Sequence, residues 1–109
     1  MTGGEVNVGG YCAPGRYATG IGSMLIHGGQ FTHRLSSGGA FNAGEEGTGY
    51  VSVANGGVLE VADNDGVVLA SSWSSGARGM VRLSPGGLLK AKRIKGGQHL
   101  FLRVQRRNL

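Results

Sequence analysis

Tyr50-Val51-Ser52-Val53-Ala54-Asn55-Gly56-Gly57-Val58-Leu59-Glu60-Val61-Ala62 is the stretch that decides the fold class. Two short runs rich in β-branched residues flank an Asn-Gly turn. Asn and Gly tolerate the positive φ that tight hairpin turns require. The local reading is strand, turn, strand.

The same punctuation continues downstream. Asp63-Asn64-Asp65-Gly66 precedes an apolar run at 67–70, and Ser74-Ser75-Gly76 precedes another at 79–83. Ser84-Pro85-Gly86-Gly87 precedes 88–94, and Lys95-Gly96-Gly97 precedes 98–104. Pro followed by Gly suits the centre of a type II turn. Six consecutive strands joined mostly by hairpins are therefore expected over residues 50–104. Upstream, 23–27 and 30–35 flank Gly28-Gly29 as a further hairpin. Residues 5–8 and 16–19 are candidate short strands, and 36–49 reads as a longer loop carrying Glu45 and Glu46.

Side chains alternate between faces along a strand. Leu100, Leu102 and Val104 share one face, while His99, Phe101, Arg103 and Gln105 share the other. Val81 and Leu83 oppose Met80 and Arg82. Alternation fails over 88–94, where Lys90 and Lys92 fall on one side and Ala91 and Arg93 on the other. Lysines suit an edge strand, because they discourage unwanted pairing.

Of the 23 glycines among 109 residues, ten from Gly10 to Gly97 recur about every ten positions, and glycine at this density penalises any helix. The expected fold is one all-β domain over 1–109. It is a compact antiparallel sandwich or barrel of about eight short strands joined by glycine-rich hairpins. A small β-solenoid is the second arrangement that this spacing allows.

Catalytic and cofactor motifs are lacking. Gly20-Ile21-Gly22 has Leu25 where a dinucleotide fingerprint needs its third glycine. Asp63-Asn64-Asp65-Gly66 lacks the further acids of a calcium loop, since Val61 stands at one required position. His27, His33 and His99 are the only histidines, and a metal site would need a ligand such as Cys12 from far along the chain. The single cysteine rules out an internal disulfide. Glu45-Glu46 is read as a solvated pair. No enzyme activity, cofactor or metal is expected. No basic leader followed by an apolar run, and no membrane-length apolar stretch, is present. The expected location is soluble, either cytoplasmic or in a virion.

Charge carries the strongest functional signal. The net charge is +5, but it is divided unevenly along the chain. Residues 1–65 hold two cations against six acids, and residues 66–109 hold nine cations and no acid. Arg82, Lys90, Lys92, Arg93, Lys95, Arg103, Arg106 and Arg107 form a candidate basic face for a partner. Like charges on neighbouring strands destabilise a sheet, and an anionic partner relieves the repulsion. The expected function is structural: a non-enzymatic assembly protein that binds copies of itself or other virion proteins, such as a bacteriophage capsid decoration or head–tail accessory protein. An acidic half and a basic half suit head-to-tail contacts between subunits of a homo-oligomer. The alternative is a β module that binds polyanions, including nucleic acid, through the basic strands.

Overall fold

A computed structural model describes residues 1–10, 12–34, 40–62, 67–70, 76–96 and 100–104. For residues 40, 67–70, 95, 96 and 100–104 it describes the backbone alone. The described residues contain eleven strands and no helix. They are β1 (Glu5–Val8), β2 (Ile21–Ile26), β3 (Gln30–His33), β4 (Ala40–Ala43), β5 (Thr48–Val53), β6 (Val58–Val61), β7 (Val67–Ala70), β8 (Arg78–Leu83), β9 (Leu88–Ala91), β10 (Arg93–Gly96) and β11 (Leu100–Val104).

Every ladder is parallel. The strands form three sheets in the orders β1-β3-β6-β9, β10-β7-β4 and β11-β8-β5-β2. We call these the first, second and third faces. The chain visits the faces in turn and then returns to the first one coil higher. Val58 lies beside Gln30 and Leu88 beside Val58, so a coil takes about 28 to 30 residues. The second, third and fourth coils are β3-β4-β5, β6-β7-β8 and β9-β10-β11. In the first coil, residues 12–14 take the place of a second-face strand. The Cys12 and Pro14 carbonyls there accept from the Asn42 and Gly44 N–H groups at 3.2 and 2.8 Å.

This corrects the antiparallel sandwich or barrel. No described strand pairs with its neighbour in sequence, so none of the expected hairpins forms. Parallel ladders between successive coils are the geometry of a solenoid, the arrangement placed second on sequence. The turn chemistry itself is present. Asn55 and Gly56 both have positive φ, as does Gly86 after Pro85. These turns act as corners that carry the chain from the third face to the first. They also stack: Asn55 N–H donates to Pro85 C=O at 3.1 Å, and Gly56 N–H to Gly86 C=O at 2.8 Å. Stacking brings backbones so close that a Cβ on Gly57 would strike the Ile26 carbonyl, and one on Gly87 the Val53 carbonyl.

Two other expectations change. Residues 88–94 split into β9 and β10 on different faces, with Lys92 at the bend between them. That corner is why alternation fails there. Both strands do lie at sheet edges. Within 36–49, residues 40–43 form β4 where a loop was expected. Phe41 on β4 is fully buried in the core. Residues 5–8 form β1 as expected, whereas 16–19 form no strand.

Inward columns run through the coils. Phe31, Leu59 and Leu89 share one column, and His33, Val61 and Ala91 the next. On the third face Met24, Val51, Val81 and Leu102 are in register, as are Ile26, Val53, Leu83 and Val104. Ile26, Phe41, Val51, Val53 and Leu59 are completely buried. Each such aliphatic side chain contributes about 1.5 to 3 kcal/mol relative to exposure. His33 joins this core. Its Nε2 lies 2.7 Å from the Gly10 carbonyl, and its ring meets Phe41 edge-on at 5.9 Å. A carbonyl can only accept, so Nε2 carries the hydrogen.

Candidate interaction surface at the C-terminal coil

The fourth coil is the last described turn of the stack, and it carries most of the candidate cations. Lys90 lies on β9, exposed, on an outward position. Lys92 is exposed at the bend, and Arg93 is exposed at the start of β10. Lys95 stands beside Leu69 in the β10–β7 ladder, and Arg103 beside Arg82 in the β11–β8 ladder. Arg82 belongs to the coil below and is half-buried. Arg106 and Arg107 lie outside the described residues.

The structure thus gathers five of the eight expected residues on one coil. It does not gather them on one face. Lys90 belongs to the first face, Arg93 and Lys95 to the second, and Arg103 with Arg82 to the third. The expected basic face is a basic end. Strand order explains this: successive strands of one coil belong to different sheets, so neighbours in sequence point in different directions around the axis.

Electrostatics at this end are uneven. On the first face Lys90 is the register partner of Glu60, so one cation has an acid in the adjoining strand. Glu60 also accepts from Gln30 Nε2 at 3.3 Å. A cleft beside the bend is lined by Glu60, Val61, Ala62, Lys90, Ala91 and Lys92. On the third face the register pairs Arg103 with Arg82.

Arg78 was missed on sequence. It is exposed at the start of β8, two positions from Met80 and four from Arg82, on the outward parity. With Thr48, Tyr50 and Met80 it lines a second cleft on the third face. Its alternation with Arg82 was the available signal.

The other candidate groups stand apart. His33 is enclosed in the core, whereas His27 Nε2 lies 3.0 Å from Ser52 Oγ. His99 lies outside the described residues. Cys12 is half-buried. Glu45 faces Arg16 at 4.0 Å in a corner that stacks on residues 15–20. Among the described residues, no three His, Cys, Asp or Glu side chains stand close enough to hold a metal ion. Residues 63–66, expected as a turn, lie outside the described residues. No described helix is long and apolar enough to cross a membrane. No family model, curated protein or solved structure matches the chain.

Proposed function

We propose that this chain is a non-enzymatic structural protein that binds neighbouring subunits of a larger assembly, with a bacteriophage virion as the proposed setting. One observation carries the reading. β9, β10 and β11 all end their sheets, so among the described residues each leaves a backbone edge without a strand partner. Open parallel edges are templates for another chain, and a coil stack left open at an end is completed by a cap or a neighbour. The cations on that coil decide which neighbour fits, because they repel a second basic end. The virion setting rests on the general build of a small glycine-rich β chain.

A second reading is favoured by the three exposed cations within four residues, Lys90, Lys92 and Arg93. Under it the same end binds phosphates of a nucleic acid, with an affinity that falls steeply as salt rises.

Light scattering on the purified protein separates the two, with and without nuclease and at low and high salt. Assembly predicts a mass above the monomer that nuclease does not change. A monomer that carries nucleic acid until treated or salted overturns assembly and supports polyanion binding.

A further inference from the structure

We infer that the neighbour is a second copy of this chain, whose first coil stacks on the fourth coil so that the parallel ladder of the first face continues, and that of the third face along Gly22 to Met24. The inference rests on the assembly reading and names its partner and register.

The first coil looks like the middle of a stack rather than its end. Val6 occupies the inward column of Phe31 and Leu59, yet it is 39% exposed, while Leu59 is fully covered. Met1 continues the third face past β2. Its carbonyl accepts from His27 N–H at 2.9 Å, and its ammonium donates to the Leu25 carbonyl at 2.6 Å. The rest of that edge, from Ile21 to Met24, has no strand neighbour among the described residues.

Gly3 adds an independent observation. The corner Gly3-Gly4 repeats the corner Gly28-Gly29 of the next coil. Gly28 needs glycine twice over, for its φ of +148° and because a Cβ there would strike the Thr2 carbonyl. At Gly3 a Cβ would meet nothing within 4 Å, and its φ is not positive. Nothing described in the chain requires glycine at Gly3. A coil stacked on this end would close the space that is open at Gly3, as Thr2 closes the space beside Gly28.

The opposite end matches. Leu89 and Ala91 continue the columns of Leu59 and Val61 but are only half-buried, because no described coil covers them. Continuing the register puts Val6 and Val8 of a second copy on Leu89 and Ala91, and Asn7 beside Lys90. On the third face it runs Gly22 to Met24 beside Leu100 to Leu102, up to the point where Met1 holds the edge. On the first face both inward pairings are apolar against apolar.

Charge sets the polarity. Two fourth coils face to face would oppose Lys90, Lys92, Arg93, Lys95 and Arg103 to the same five cations. The first coil offers Glu5, Arg16 and the Met1 ammonium, a net charge of +1 against the five cations of the fourth coil. A first-coil pair related by a two-fold axis would run its strands antiparallel and break the ladder. Head-to-tail contact alone keeps the strands parallel and the cations apart. Such a contact is heterologous, so it extends as an open fibre or closes as a ring.

Two experiments on the full chain test this. In the first, sedimentation compares wild type with Gly3→Leu. The variant keeps the wild-type melting temperature, since the added side chain starts in open space, and its self-association weakens by at least about tenfold. Unchanged association overturns the inference. In the second, Asn7→Cys and Lys90→Cys are placed singly in a Cys12→Ser background and treated with a short bifunctional thiol reagent. Cross-linked dimers are expected only when the two proteins are mixed. Cross-linking of either variant with itself, or an oligomer with no cross-link, overturns the stacking while leaving assembly standing. A monomer at every concentration overturns both.

Discussion

Gly57 and Gly87 fill the narrowest points between coils, where the carbonyls of Ile26 and Val53 leave no room for a Cβ. Gly57→Ala must push two backbones apart and disturb the ladders on either side. We expect a loss of about 2 to 4 kcal/mol, or failure to fold, measured by chemical denaturation. Gly76 is the matched control, with open space at its Cβ and no positive φ. Gly76→Ala should change stability by less than about 1 kcal/mol, in the stabilising direction, through the unfolded chain. His33 is the other decisive single residue. His33→Ala leaves a cavity beside Phe41 and removes the bond to the Gly10 carbonyl. The expected cost is about 2 to 4 kcal/mol, read from the same denaturation curves. The sequence shows His33 flanking an apparent hairpin. Its burial follows only from the inward column that it shares with Val61.

At the scale of elements, each strand is held by partners about one coil away rather than by its sequence neighbours. Glu60 on β6 illustrates the consequence. It bonds Gln30 on β3 and stands beside Lys90 on β9. Glu60→Lys removes the first interaction and sets two lysines side by side. Stability should fall by about 0.5 to 1.5 kcal/mol at low salt and by less at high salt, in urea titrations. A substitution without electrostatic effect would show no salt dependence. β4 shows how pairing overrides local signals. Ala40-Phe41-Asn42-Ala43 lies in a Gly- and Ser-rich stretch with one large apolar residue. It becomes a strand because β7 offers a ladder and the core accepts Phe41.

The whole molecule is a stack in which a coil touches only the coils next to it. Stability then varies along the axis, greatest where both neighbours are present. β5 and β8 lie inside the sheet order β11-β8-β5-β2, with a partner strand on each side. Amide hydrogens of Val51, Val53 and Val81 should exchange at least about tenfold more slowly than those of Ile21 to Met24 on the edge strand β2. Hydrogen exchange followed by mass spectrometry measures this. Uniform protection from end to end in dilute monomer would contradict a stack with open ends. Protection of β2 that rises with concentration is the signature of a neighbour on that edge.

The sequence by itself determined that the chain is all-β, that turns fall at Gly28-Gly29, Asn55-Gly56 and Pro85-Gly86, and that the cations concentrate after residue 66. Those properties are local: β-branched runs, Asn-Gly and Pro-Gly turns, and charge. It did not determine which strands pair. A hairpin and a solenoid corner use the same glycines and the same positive φ, as at Asn55-Gly56, and differ only in whether the next strand folds back or turns onto a new face. The ten-residue glycine spacing is one third of a coil, so the true repeat near 29 residues is hidden beneath it. The tertiary structure alone decided that Lys90, Lys92, Arg93, Lys95 and Arg103 form an end and not a face. Their grouping depends on ladders between residues a whole coil apart.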